Sequence, residues 1–330
     1  MAKKYDIVAI GDITTDAFIR LKDATVHCDI NKENCTLSVR FGDKIPYEFM
    51  EEVRAVGNSP NGAVCATRLG LKTALYANLG DDDNGKRCLS ELEKNCVATE
   101  FVKVHTGKKT NYHYVLWYED ERTILIKHEE YPYILPDMGD EGWLYLSSLG
   151  ESSLPFHHEL AIYVKAHSNL NLAFQPGTFQ MKLGKDELKD IYECTKVFFC
   201  NREEAKKILK TDDDDIKKLL AGIQTLGPKI TVITDGPKGA YALENEKFLF
   251  MPPYPDPKPP YERTGAGDAF SSTFVSALAL GKTVPEALMW APINSMAVVQ
   301  KIGAQAGLLT RAILEDYLAK APADYKPREI

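Results

Sequence analysis

Apolar residues fall in short runs along this chain, and the runs are spaced far enough apart for a helix to fit between them. YDIVAI (5–10), TALYANL (73–79), WLYLSSL (143–149), LNLAF (170–174), KVFFC (196–200) and KITVIT (229–234) are rich in β-branched and aromatic side chains. Near-continuous apolar runs of this kind read as strands buried on both faces. Segments 59–70, 84–95, 155–168, 185–193 and 203–225 carry apolar residues at helical spacing. Strands alternating with helices predict an α/β fold: a doubly wound, mainly parallel sheet with helices on both faces.

Two segments break the rhythm. Residues 21–56 are polar and irregular. In 108–131, Tyr112, Tyr114, Leu116 and Tyr118 alternate with His113, Val115 and Trp117, and a turn at Glu119 to Glu121 leads into a second alternating run. Period-two alternation predicts a hairpin. Bulky residues on both of its faces imply that each is covered, which suits a small β lid over a cleft better than an edge of the main sheet. The expected division is 1–20, 57–107 and 132–330 for the α/β domain, with 21–56 and 108–131 for the lid.

Composition narrows the partners. A chain of 330 residues with 44% hydrophobic content can bury a full core. Its 40 Lys+Arg against 47 Asp+Glu leave a net charge of −7. No long basic block appears, so neither nucleic acid nor an anionic membrane is an expected partner. The cysteines (28, 35, 65, 88, 96, 194 and 200) show no CxxC spacing. Free thiols in a reducing cytoplasm are expected, not a disulfide framework, and His27, Cys28 and Cys35 are not expected to hold a metal. MAKKYDIVAIGD has too short an apolar stretch for a signal peptide. No apolar run approaches the roughly 20 residues of a membrane span, so a soluble cytoplasmic protein is the expectation.

Ligands of open α/β sheets lie beyond the carboxyl ends of the strands. There this chain collects small residues, amides and carboxylates. GDITTDAF follows the first strand with Asp12 and Asp16, and VGNSPNGAVCATRLG offers Gly57, Asn58 and Asn61 ahead of a helix. FQPGTF follows the fourth strand. CNREEA, with Asn201 and Glu204, and TDGPKG, with Thr234, Gly236 and Gly239, follow the fifth and sixth. Last comes YERTGAGDAF (261–270), whose glycines permit turns and close approaches that a Cβ would obstruct. Phe270, Phe274, Val275 and Leu278 then fall at helical spacing, with Gly281 as a stop. The turn therefore opens a helix whose first N–H groups attract an anion. The acid runs Asp81 to Asp83 and Asp212 to Asp215 also precede helices and read as dipole partners on a solvated face. The strand-end set is poor in His, Cys and Lys, which fits neither a nucleophilic triad nor a thiol mechanism. Small residues that cradle phosphate, with carboxylates for hydroxyls or magnesium, point to phosphoryl transfer.

Taken in order, GDITTD, GNSPN, NREE, TDGPKG and RTGAGDAF resemble the motifs of the ribokinase-like, or PfkB, carbohydrate kinase family. NSMAVVQKIGAQAG (294–307) resembles that family's last nucleotide-side segment. The resemblance implies a ribokinase-like fold whose α/β domain binds nucleotide and substrate. It also implies ATP-dependent phosphorylation of a hydroxymethyl group on a ribose- or fructose-like sugar, or on a nucleoside such as adenosine. By position, Asp268 matches the family's catalytic base, and Gly265, Ala266 and Gly267 match its anion hole. Asp16 matches the residue that grips substrate hydroxyls, with Gly57, Asn58 and Asn61 on the same side. Asn201, Thr234, Gly236, Gly239 and Asn294 match nucleotide-side positions, and Glu204 matches the acid that helps hold Mg2+ through water. Asp12 reads as a structural cap and stays outside the expected site.

Some positions depart from the family pattern. Glu262 and Arg263 stand where an acid–threonine pair is usual, which weakens the case for activation by a monovalent cation such as K+. Val56 replaces the first glycine of the pair before Asn58, and Gln175 stands where an Asp or Asn before proline is frequent. The aromatic residues Tyr112, Tyr114, Trp117 and Tyr118 would stack on a nucleoside base, or else pack the lid or a lid–lid homodimer interface. A non-catalytic sugar- or nucleotide-binding protein on the same fold is the remaining alternative.

Overall fold

All six expected strands form. The computed structural model describes residues 4–28, 35–119 and 121–330, and of Glu141 the backbone alone. The first part of the chain runs β1 (Ile7–Ile10), β2 (Thr14–Leu21), β3 (Thr25–His27), β4 (Thr36–Ser38), β5 (Tyr47–Val56) and α1 (Asn58–Arg68). It continues through β6 (Thr73–Gly80), α2 (Asp83–Lys94), β7 (Val102–His105), β8 (Asn111–Tyr118) and β9 (Glu121–Leu125). Then come β10 (Glu141–Leu146), α3 (Leu154–Ala166), β11 (Asn169–Phe174), α4 (Thr178–Glu187), α5 (Lys189–Cys194) and β12 (Thr195–Asn201). Next are α6 (Arg202–Leu209), α7 (Ile216–Gln224), β13 (Ile230–Thr234), β14 (Ala240–Glu244) and β15 (Lys247–Met251). The chain ends with α8 (Ala266–Ala279), α9 (Val284–Val298), α10 (Arg311–Ala319) and β16 (Arg328–Glu329).

Among the described residues one 10-stranded sheet forms in the order β16-β15-β14-β13-β12-β11-β10-β1-β6-β7. Every pairing from β7 to β13 is parallel, and β14 to β16 extend one edge antiparallel. The unbroken apolar runs have a simple cause, visible in β1. Ile7 and Ala9 join a core with Val64 of α1, Phe274 of α8 and Leu288 of α9. Val8 and Ile10, pointing the other way, join Leu160 of α3, Ile191 of α5 and Ile223 of α7. Both faces are covered, so both parities must be apolar. Each of the Val, Leu, Ile and Phe side chains among them contributes roughly 1.5–3 kcal/mol on full burial.

A second, 4-stranded sheet has the order β5-β2-β8-β9. The β8–β9 hairpin lies outside the main sheet, as its two-faced alternation implied. The turn read at Glu119 to Glu121 joins its strands, with Asp120 outside the described residues. This small sheet takes in β2 from Thr14 onward, ahead of the segment expected to form the lid. Residues 21–56, read as irregular, supply the ten-residue β5 and the separate β3–β4 ribbon.

Three readings need correction. The single helix expected over 203–225 is two, because Lys210 (φ 54) ends α6 and Asp215 caps α7 from the N–H groups of Lys217 and Lys218. The helix read at 185–193 is likewise divided between the end of α4 at Glu187 and the start of α5 at Lys189, with Leu188 (φ −98, ψ 17) between them. Cys28 and Cys35 are not free thiols but form a disulfide. His27 pairs with Thr36 across β3–β4, so the next residues outward face each other, with Cα atoms 4.0 Å apart. The bond removes both sulfurs as thiolate metal ligands. Among the described residues the other cysteines are free. The acid runs do precede helices: Asp82 caps α2 through the Gly85 N–H, as Asp215 caps α7. Among the described residues no helix is long and apolar enough to cross a membrane.

Candidate active site

Beyond the carboxyl ends of the central strands lies a cavity of about 870 Å³. Its lining includes Asp12, Asp16, Asn58, Gln175, Glu204 and Asp268. Residues far apart in sequence are thus brought to one cleft.

The start of α8 forms one wall. Gly265 has φ +81, and a Cβ there would sit 2.2 Å from Ala304 Cβ, so backbone and packing both require glycine. The first helical hydrogen bond runs from the Ala269 N–H to the Gly265 carbonyl (2.8 Å). The N–H groups of Ala266, Gly267 and Asp268 therefore have no helical acceptor. Gly267 is a different case: its φ is ordinary and nothing lies within 4 Å of a Cβ built on it. The missing side chain leaves open space on the cavity side. The approach to this turn is fixed by Glu262, 1% exposed, which accepts from the N–H of Thr264 (2.7 Å) and from its hydroxyl.

Asp268 stands at the third residue of α8, held by three amides from outside that helix. Its Oδ1 accepts from Asn58 Nδ2 (2.9 Å) and Gln175 Nε2 (3.1 Å), and its Oδ2 from Asn61 Nδ2 (2.9 Å). Asn61 is locked in turn, because its Oδ1 takes a bond from Gln305 Nε2 (3.0 Å). Burial pushes the Asp268 carboxyl above its ordinary 3.8, against the three amides and the charge of Arg122, which pull it down. The expected substrate-side residues Asn58 and Asn61 thus touch the acid itself. Gly57 caps α1 at φ +122 with no room for a Cβ beside the Asp12 carbonyl.

Asp16 (9% exposed), which also lines the cavity, lies across the β2–β8 pairing from His113, whose Nδ1 is 3.3 Å from Asp16 Oδ1. Asp12 is no helix cap. Its carboxylate accepts from the Tyr133 hydroxyl (3.0 Å to each oxygen), lies 3.2 Å from His128 Nδ1, and lines the cavity.

The nucleotide-side expectations divide. Asn201, Glu204 and Thr234 line the cavity. Asn201 and Glu204 also form a reciprocal capping box on α6: the Asn201 side chain accepts from the Glu204 N–H, and Glu204 Oε2 from the Asn201 N–H (both 2.8 Å). Burial raises the Glu204 carboxyl, and the charge of Asp268 adds to the shift. Gly236 and Gly239 shape the turn after β13 outside the cavity lining; a Cβ on Gly239 would meet the Met251 carbonyl at 2.4 Å. Asn294 is not brought to the cleft. It is fully buried in α9, donating to Thr273 Oγ1 (2.8 Å) and accepting from the Leu309 N–H (2.9 Å). Its amide is used up inside the core.

The profile of the pfkB family carbohydrate kinases matches residues 22–311. The chain belongs to the PfkB family. Among curated relatives, the ribokinase of Bacillus subtilis is 26% identical over 269 residues, covering 80% of this chain and 87% of that protein. The fructokinase of Vibrio alginolyticus is 25% identical over 302 residues, covering 84% and 96%. Among solved structures, the ribokinase of Giardia lamblia superposes with a TM-score of 0.79 at 20% identity, covering 96% of this chain and 98% of that one. The Arabidopsis thaliana ribokinase complexed with ribose and ATP gives 0.78 at 20%, covering 95% and 98%. This chain is accordingly a carbohydrate kinase with a ribokinase-like fold and a separate small β sheet as lid.

Besides Asp12, sequence reasoning missed three polar residues of this PfkB kinase's cleft. Gln175, a departure from the family pattern, grips Asp268 and accepts from the Tyr145 hydroxyl. His113 and His128 line the cavity, and the signal for His113 was the hairpin parity opposite Tyr112 and Tyr114. None of Tyr112, Tyr114, Trp117 and Tyr118 is in the cavity lining. Tyr112 bonds Glu52, Trp117 is 2% exposed, and Tyr114 faces outward.

Proposed function

We propose that this kinase transfers the γ-phosphoryl group of ATP to a hydroxymethyl group of a neutral, ribose- or fructose-like sugar. The carrying observation is a carboxylate clamped by three amides beside three free helix N–H groups in one cleft. A carboxylate offers about four acceptor sites, and the amides take three, so one is left for a hydroxyl proton. Asp268 takes that proton as the new O–P bond forms and the bond to the ADP oxygen breaks. Its burial-raised pKa makes it the stronger base. The N–H groups of Ala266, Gly267 and Asp268 meet the charge on the equatorial oxygens of the phosphoryl group in flight. Asp16 anchors the acceptor through its hydroxyls, with Gly57, Asn58 and Asn61 on the substrate side, and Asn201 and Thr234 lie toward the nucleotide, with Gly236 and Gly239 shaping the turn behind Thr234. The ribokinases and fructokinase among the relatives support a sugar as acceptor. A nucleoside acceptor loses its main support, since the lid aromatics do not line the cavity.

Mg2+ fits the residues present. Glu204 spends one oxygen on the Asn201 N–H, leaving the other for water, and a cation would relieve both its burial and its repulsion from Asp268. Among the described residues no three His, Cys, Asp or Glu side chains converge on a metal, so water would complete the shell. When bound, magnesium supplies charge neutralisation between the phosphates. Potassium is not part of the proposal, because Arg122 already sets a cation 3.6 Å from Glu262. A homodimer through the lids belongs to the reading, since Tyr47, Met50, Tyr114 and Leu125 of the small sheet are exposed; light scattering tests it. ADP release over a panel of sugars and nucleosides, with and without magnesium, tests the function. Release with no sugar, or with nucleosides alone, would refute it.

A further inference from the structure

We propose that Arg122 is a positioning residue. Carried on the lid, it pairs with the buried Glu262 and clamps the loop that opens α8 when the lid is down. Trp117 and Arg122 are cross-strand partners near the end of the β8–β9 hairpin, so both side chains leave the same face of the small sheet. Both meet the segment just before the helix. Trp117 packs edge-on against Tyr261, with ring centroids 5.2 Å apart, and Arg122 Nε lies 3.6 Å from Glu262 Oε1. That same oxygen holds the Thr264 N–H, so the carboxylate facing Arg122 is the one that shapes the turn into Gly265. The N–H groups of Tyr261 and Glu262 are fixed from below by the Val299 carbonyl (2.8 and 3.2 Å).

The pair is unfinished. Arg122 Nε and Glu262 Oε2 are both buried without a hydrogen-bond partner, and the other acid near Arg122, Glu121, is 3.7 Å away and exposed. A buried ion pair repays its desolvation only when its geometry is good and its remaining donors are satisfied. A small downward movement of the lid would complete it. The charge of Arg122 also reaches Asp268 and favours the ionised carboxylate, so the same movement favours the charged form of the proposed base. A neutral side chain at 122 would leave Glu262 buried with no cation beside it and the turn before the anion site free to drift.

The proposal rests on the kinase reading, and its test has one arm that does not need turnover. Arg122→Met should lower kcat on an accepted sugar by roughly 10–100-fold, as expected for a small misplacement of a catalytic turn. The ATP dissociation constant should rise by much less than kcat falls, since the N–H groups of the turn meet the phosphoryl group most strongly in flight. Arg122→Lys should recover part of the loss, and guanidinium ion should recover part of it in Arg122→Ala. Independently of any acceptor, amide exchange over residues 262–268 should quicken by about tenfold in Arg122→Met while β1 and β6 stay protected. If no sugar is phosphorylated by the wild-type protein, the kinase reading fails and the exchange arm still decides the clamp. Unchanged exchange over 262–268, or a loss of turnover that neither lysine nor guanidinium restores, would overturn it.

Discussion

Asp268→Asn separates charge from shape at the centre of the cleft. It keeps the volume and turns one carboxylate oxygen into an amide NH2. If the new oxygen takes the place of Oδ1, it keeps Asn58 and Gln175, and its NH2 then faces the NH2 of Asn61. Asn61 cannot turn to relieve this without losing Gln305, which holds its oxygen at 3.0 Å. The unmet donors cost about 1–3 kcal/mol. Against that, the variant removes a charge whose burial raises its pKa above 3.8. A raised native pKa means that folded Asp268 binds its proton more tightly than the unfolded chain does. Its stabilising contribution is present below 3.8 and is lost as pH rises through the native value. The melting temperature of the variant should therefore improve relative to the parent as pH climbs through that window. At neutral pH the two effects oppose, and the fold should survive. Turnover has no such compensation. Loss of a general base costs about 10²–10⁴-fold, or about 3–5 kcal/mol of barrier. ADP release measures turnover, calorimetry measures ATP binding, and thermal melts across pH measure the linkage. The parent's acid limb in kcat/KM should lie above 3.8. A variant that turns over like the parent would refute the assignment of Asp268 as base.

Gly267→Val fills the open space above the helix start, so calorimetric ATP affinity and turnover should both fall with little change in melting temperature; an unchanged ATP titration would make this turn a plain helix start. Gly265→Ala should act on the fold first, because its left-handed φ costs about 1–2 kcal/mol before the contact with Ala304, and the melt should drop by several degrees. A melt unchanged from the parent would remove the packing argument for that glycine. Asp16→Ala should weaken the acceptor sugar by about 2–4 kcal/mol and leave ATP nearly unchanged in calorimetry. Equal losses for both ligands would mean that Asp16 supports the fold instead of gripping the sugar.

The sheet was legible because its evidence is local. Each run such as KVFFC or KITVIT declares burial on both faces within a few residues, and Gly265 and Gly267 declare a helix start within five. The clamp on Asp268 was not, because its donors come from positions 93, 207 and 210 residues away. Only the packing of α1 against α8 and the end of β11 brings them together. Alternation in 108–131 showed two faces of a hairpin but not which one meets the cleft. The parallel register of β2 and β8, with Asp16 opposite His113, decides that, and it leaves the tyrosines outside. Asn294 failed for the opposite reason. It sits in the fully buried stretch of α9 beside Pro292 and Ile293, where a polar residue is held by partners inside the core, here Thr273 and Leu309.

The two glycines before Asp268 explain why a motif this small can be specific. Gly265 is required by the fold, since its φ and the nearness of Ala304 forbid any side chain. Gly267 is required by neither, so the space it leaves belongs to whatever approaches the helix. An acid placed one residue later would repel an anion there unless its own charge were already engaged. Three amides engage it, and they reach it from α1 and from the end of β11, not from the loop that carries it. The turn alone therefore does not make the site. On the function proposed above, it becomes a place where a phosphoryl group and a base can stand together only when the sheet, α1 and α8 are all in register.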